Sequence, residues 1–270
     1  MRKMNADETL IVERQSGFQR IRITQNGSGC LSVYFGNGEA IQSRLRVEDP
    51  RYLGLPYVRT LLAALAFQPN PLRVLVVGLG GGTIPRYLQS CFPAVSVEVA
   101  EIDPMMVELA REYCGLVEGE RLRVLVGDAR DVIEAAEGKY GAIFLDGFGE
   151  DSIPSHLNTG EFLEGVKRSL APGGVVLANI WGSNRNRLYG RMLQTYREVF
   201  KDLYVLDVPV SGSKVFVGLD EWREVTREEF LEKVGAMSRE HGLGVELREA
   251  VAGFRNGAEE RPYFGERLRD

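Results

Sequence analysis

The run Val74-Leu-Val-Val-Gly-Leu-Gly-Gly-Gly-Thr83 constrains the fold of this chain more than any other stretch. An apolar run that closes at Val77 reads as a strand buried on both faces, the kind found inside a parallel sheet. The glycines after it let the backbone turn sharply and let a ligand approach the main chain at the start of a helix. Gly78, Gly80, Gly81 and Gly82 are therefore candidate nucleotide contacts. A turn made only for tight packing has the same composition, so the surrounding segments decide between the two readings.

Downstream, strand-like runs at 95–100, 122–126, 141–145 and 175–180 alternate with helical periods. Met105, Met106, Leu109, Ala110 and Tyr113 share one helical face, and Phe162, Val166 and Leu170 share another that is expected to end at Pro172-Gly173-Gly174. A helix through Met192 and Phe200 and strands at 203–208 and 215–219 complete the pattern. This order predicts an α/β fold, a mostly parallel twisted sheet with helices on both faces. Ahead of it, 19–24, 31–35 and 40–45 read as strands, separated by Asn26-Gly27 and Asn37-Gly38. Asn-Gly is a strong hairpin signal because both residues tolerate positive φ. A helical period begins at Tyr52 and stops before Pro69-Asn70-Pro71. The expected organisation is a β-hairpin domain at 1–48, a nucleoside-binding domain at 49–220, and a charged extension at 221–270. The extension carries one amphipathic helix through Phe230, Val234 and Met237.

Composition narrows the function. The net charge of −5 gives no general pull toward nucleic acid, whose binders usually carry a basic face. No apolar run is long enough to span a bilayer and residues 1–15 hold no signal-type stretch, so no membrane partner and a cytoplasmic location are expected. Three cysteines without a CxxC pair fit reduced buried thiols. With only His156 and His241 available, a metal site or a Ser-His-Asp triad has little material, and no metal is expected. Any general base is then a carboxylate.

Acidic residues fall at strand ends. Glu101 closes the second strand, about 20 residues after the turn, where an acid can accept both ribose hydroxyls. Asp103, before Pro104, suits a helix cap and remains a candidate nucleotide contact by its place in the same turn. Asp128, followed by Ala129, either receives an adenine amino group or caps the next helix. Asp146 follows the fourth strand, at the C-terminal sheet edge where open α/β folds bind ligands. Trp181 either stacks on a substrate or fills the core rim, and His156 is either a proton shuttle or a solvated turn residue. Arg185 and Arg187 either hold an anionic acceptor or start an exposed helix face; Tyr140 reads as core.

The order GlyLeuGlyGlyGly, Glu101-Ile102-Asp103, Gly127-Asp128 and Leu145-Asp146 resembles the spermidine synthase (polyamine aminopropyltransferase) family over about residues 10 to 219. Gly38-Glu-Ala-Ile-Gln42 is similar to that family's nucleoside-touching hairpin segment, and Tyr57 to the tyrosine of its substrate channel. Pro154 to Phe162 is similar to its gatekeeping loop and following helix. The resemblance implies a class I methyltransferase-like Rossmann fold behind an N-terminal β-hairpin domain, a place in polyamine biosynthesis and a homodimer. It implies that Glu101 holds the ribose, that Asp128 and Gln42 hold the adenine and thioether region, and that Asp146 deprotonates the attacking amine.

Departures from the family pattern cluster at the acceptor and sulfonium ends. The family's aspartate inside the glycine turn is Gly81, the second aspartate of its catalytic loop is Gly149, and a late tyrosine is Val210. Glu150 or Asp151 is a candidate replacement for the carboxylate missing at Gly149. Each ammonium of a diamine costs several kcal/mol to desolvate without a paired carboxylate. A carboxylate at 81 would also repel that of S-adenosylmethionine, by on the order of 1–4 kcal/mol at about 4 Å. The sequence therefore predicts a transferase using S-adenosylmethionine or its decarboxylated form, moving a methyl or aminopropyl group to a small-molecule nucleophile, an amine or polyamine. A nicotinamide-dependent oxidoreductase and a non-catalytic nucleoside-binding protein are the competing readings.

Overall fold

A computed structural model describes residues 7–147, 154–183, 186–243, 247–260 and 266–270. Alternation in the first forty-five residues folds into an antiparallel sheet of β1 (Glu8–Gln15), β2 (Arg20–Asn26), β3 (Leu31–Phe35) and β4 (Ile41–Leu45), paired in chain order. Register places Ile21 opposite Phe35, Ile23 opposite Val33, and Val33 opposite Ser43. These positions share one face by the two-residue strand period. That face, apolar apart from Ser43, packs with Leu79 and Ile84 of the main domain in a single core cluster.

The helix expected from Tyr52 begins later, as α1 (Pro56–Ala64), because proline fits the first helical turn where its missing N–H costs nothing. A 3₁₀ turn at Leu65–Phe67 ends it. The main sheet contains β5 (Arg73–Val77), β6 (Ser96–Glu101), β7 (Leu122–Val126), β8 (Tyr140–Leu145), β9 (Leu170–Trp181), β10 (Asp202–Asp207), β11 (Ser213–Leu219) and β12 (Gly253–Asn256). Its order is β12-β10-β11-β9-β8-β5-β6-β7. Pairs from β9 through β7 are parallel, while β11 runs antiparallel to both β9 and β10. Helices α2 (Thr83–Cys91), α3 (Pro104–Tyr113), α4 (Ala129–Glu134), α5 (Gly160–Ser169), α6 (Tyr189–Val199) and α7 (Arg227–Glu240) accompany it.

The sheet separates two cores. Val74 and Val76 belong to one, Leu75 and Val77 to the other, as alternation along a doubly covered strand requires. Two strands depart from the sequence reading. β9 begins at Leu170, so Pro172-Gly173-Gly174 lies inside a strand, joined to Tyr140 of β8 through an irregular register. β12 pairs with β10 at the edge, where only a helix had been expected in the tail.

The chain leaves β5 toward β6 on one side, while β8 pairs with β5 on the other. Where the winding reverses, the strand ends splay and open a crevice at their C-terminal edge. Among the described residues no helix is long and apolar enough to cross a membrane.

Candidate active site

After Val77 the backbone turns at Gly78 with φ of 92°, and a Cβ there would lie 2.6 Å from the Asp146 carbonyl oxygen. Both facts exclude a side chain, so the turn and the end of β8 are packed main chain to main chain. Gly78→Ala is expected to lose about 2–4 kcal/mol of stability in a denaturant melt. Melting with the parent chain would mean that the contact yields freely. Gly81 donates its N–H to Ser43 Oγ at 2.9 Å, and its Cβ would meet Leu45 Cδ2 at 2.5 Å. Position 81 therefore faces the hairpin sheet. Gly82 caps α2 with φ of 74°.

Beyond the turn lies a cavity of about 480 Å³, the size of a small-molecule site. Gly78 and Gly80 form its floor, and Gln42 with Ser43 from β4 and Phe18 from the β1–β2 turn cover it. Glu101, 8% exposed, lines one end. Its Oε2 accepts the Leu79 N–H at 2.8 Å and its Oε1 the Asp103 N–H at 2.9 Å, bracing the glycine turn against the start of α3. Burial pushes the Glu101 carboxyl up against the opposing pull of those amides. A carboxylate oxygen has two lone pairs, so each keeps one for a ligand hydroxyl.

Asp128 and Ala129 line the same end. The two readings of Asp128 coexist: Oδ1 caps α4 through the Arg130 N–H at 2.9 Å, while Oδ2 lies 3.2 Å from His156 Nε2. Pro154, His156 and Leu157 close this side. Asp103 is placed elsewhere. It is 1% exposed, caps α3 through the Met105 N–H at 3.0 Å, and accepts the Ser16 hydroxyl at 2.6 Å.

Asp146 stands at the opposite end, beyond β8. Its Oδ1 accepts from Asn179 Nδ2 at 2.9 Å and its Oδ2 faces the Tyr57 hydroxyl at 3.2 Å. The same hydroxyl lies 3.1 Å from the Gln42 carbonyl oxygen. Burial raises the Asp146 carboxyl to about 7, although both hydrogen bonds favour its ionised form. Burial and the facing carboxylate push the Tyr57 phenol well up, so it stays protonated as a donor. Asn179 is 4% exposed, and its Oδ1 has no partner among the described residues. Trp181 follows it on the same strand face, opposite Ser213 of β11.

The structure thus gathers Gln42, Tyr57, Gly78, Gly80, Glu101 and Asp128, with Ala129, Asp146 and Trp181, around one cavity. Gly81, Gly82 and Asp103 stand behind its wall instead of in it. Asn179, Ser43 and Phe18 escaped the sequence reading. A lone amide inside the apolar run 175–180 was the available signal for Asn179. Tyr140 is fully buried core, Arg187 is exposed, and Val210 is fully exposed with φ of 52°. Arg185, Gly149, Glu150 and Asp151 lie outside the described residues. Among the described residues no group of three or more His, Cys, Asp or Glu is disposed to hold a metal.

A reversed-winding sheet with this strand order, with acidic strand ends at its crevice, has the architecture of the class I methyltransferase-like fold. The chain belongs to the spermine/spermidine synthase domain family, whose pattern matches residues 60–217, more than half its length. A polyamine aminopropyltransferase of Vibrio vulnificus is 37% identical over 218 residues, 78% of this chain and 72% of that one. Human methyltransferase-like protein 13, solved in complex with SAH, is 28% identical with a TM-score of 0.63, over 68% of this chain and 91% of that one. A probable spermidine synthase of Corynebacterium glutamicum shares the fold, with a TM-score of 0.74 at 22% identity over 96% of this chain and 98% of that one.

Proposed function

We propose that this transferase takes S-adenosylmethionine as donor and methylates an amine. The reading rests on one observation above others. At position 81, where the family resemblance places an aspartate, there is a glycine, and its Cβ direction leads into Leu45 behind the cavity wall, so no carboxylate from this turn reaches the donor to favour an ammonium or repel a carboxylate. The relative solved with SAH supports the same choice. Glu101 would accept the ribose hydroxyls, with Asp128, Ala129 and Gln42 around the base and thioether.

The donor supplies an activated carbon: as the N–C bond forms the C–S bond breaks, and the electron pair stays on sulfur. What remains for the protein is alignment and one proton. The acceptor's ammonium gives its proton to Asp146, and Asn179 Oδ1, a buried acceptor without a donor among the described residues, suits an N–H of the same nitrogen. Tyr57 holds the carboxylate from its other side.

The second reading, aminopropyl transfer, is favoured by the Vibrio relative. Calorimetry with both donors separates the two. S-adenosylmethionine is expected to bind at least as tightly as the decarboxylated form. A preference of about ten-fold or more for the decarboxylated donor, worth roughly 1.4 kcal/mol, would transfer the assignment to aminopropyl transfer.

A further inference from the structure

Behind the wall formed by Pro154, His156 and Leu157 sits Arg130, the second residue of α4. Its guanidinium donates twice to the His156 carbonyl oxygen, from Nε at 2.9 Å and Nη2 at 2.8 Å, and once to Thr159 Oγ1 at 2.8 Å. It also grips the Asp270 carboxylate, through Nη1 at 3.0 Å and a closer contact from Nη2. The backbone N–H of Arg130 meanwhile goes to Asp128, whose other oxygen faces the His156 ring. One rigid five-donor fork therefore sets the main chain of the wall segment relative to the acid at the nucleoside end.

Asp270 arrives on the segment 266–270, which is stitched down independently of the arginine. The Leu268 carbonyl oxygen accepts the Gly160 N–H at 2.8 Å, and the Leu268 N–H reaches Thr195 Oγ1 at 3.0 Å. Leu268 packs against the core on this side of the sheet, and the Asp270 N–H meets Glu161 at 3.2 Å. Asp270 accepts the Thr159 hydroxyl as well, at 2.7 Å. A helix start needs none of this: Thr159 already caps α5 through the Phe162 N–H. The carboxylate adds a counter-charge that fixes a guanidinium which would otherwise sample several rotamers.

We infer that Arg130 is a positioning residue for the donor site and that segment 266–270 is its latch, coupling docking of Asp270 to the seating of the His156 wall over Asp128. The inference rests on the adenosyl-donor reading for what the wall encloses, but the latch has a readout of its own. It assigns a role to the tail, where the sequence alone showed no chemistry.

The test uses the full chain and two measurements, amide hydrogen exchange without ligand and calorimetry with S-adenosylhomocysteine. Asp270→Asn is expected to speed exchange of the Leu157, Asn158 and Gly160 amides about ten-fold while the melting temperature holds within about 2 °C. It is expected to weaken S-adenosylhomocysteine about five- to ten-fold. Arg130→Gln should weaken it further, and the double variant should match Arg130→Gln alone, because Asp270 acts through the arginine. Should Arg130→Gln fail to fold, the Asp270→Asn exchange result decides by itself. Unchanged exchange and affinity in Asp270→Asn, or independent and additive effects of the two substitutions, would overturn the latch. Faster exchange in a chain whose parent binds no S-adenosylhomocysteine would instead overturn the donor reading and leave the latch standing.

Discussion

Asp146→Asn is expected to lower turnover at least ~100-fold while making the free protein more stable at pH 8. The first effect follows from removing the acid that lines the cavity at the end of β8 and is the proposed base. The second follows from linkage. The carboxyl rises from 3.8 to about 7 on folding. Between those values the folded chain holds a proton that the unfolded chain has released, so stability falls as pH climbs through that window and stays low above it. The full shift corresponds to roughly 4 kcal/mol, and relaxation around the charge should leave about 1–3 kcal/mol of it. Asparagine removes the penalty and keeps the contacts, since its oxygen accepts from Asn179 and its amide donates to the Tyr57 oxygen. Denaturant melts should show the variant ahead at pH 8 and level with the parent near pH 4. The parent's kcat/KM should rise with pH through about 7, the limb reporting the free enzyme's base. A variant with parental turnover would remove Asp146 from the chemistry.

The second large effect is expected on binding. Glu101→Gln should weaken the adenosyl donor by about 30–100-fold, the worth of one or two hydrogen bonds to a charged acceptor. Shape is preserved, but an amide has one donor end. Because Leu79 and Asp103 both present N–H groups to the carboxylate, one of them must then face another donor. Stability should drop along with affinity, unlike at Asp146, because the donor-against-donor contact with a backbone N–H outweighs the relief of removing a buried charge. Calorimetry with S-adenosylmethionine measures the first effect and a thermal melt the second. Parental affinity in the variant would show that the ribose lies elsewhere.

The main sheet was legible wherever strands were buried on both faces. The runs at 73–77 and 141–145 fall in β5 and β8, whose apolar side chains are buried almost throughout and leave no other economical element. The tail strand β12 was not, since its four residues are all half-buried and gain strand form only from the edge of β10. Pro172-Gly173-Gly174 read as a terminator, yet β8 recruits the residues around it. In the site, the strand-end rule placed Glu101, Asp128 and Asp146 from sequence alone. It carried no information about Asp103 or Gly81: Ser16 fixes the Asp103 carboxylate, while Ser43 binds the Gly81 N–H and Leu45 fills the space a side chain there would need. Tyr57 entered by resemblance, and Asn179 by neither route, because a single amide in a strand has no periodic signature.

The Tyr57 hydroxyl has one hydrogen and two oxygens to give it to, one on β4 and one on the residue that closes β8. An ionised Asp146 draws that hydrogen and leaves the Gln42 carbonyl bare; a protonated Asp146 becomes the donor and releases the phenol back to Gln42. The Tyr57 hydroxyl at the seam between the two sheets is thus expected to have two rest positions. Each proton that Asp146 gains or loses should then be felt in the small sheet through the Gln42 carbonyl.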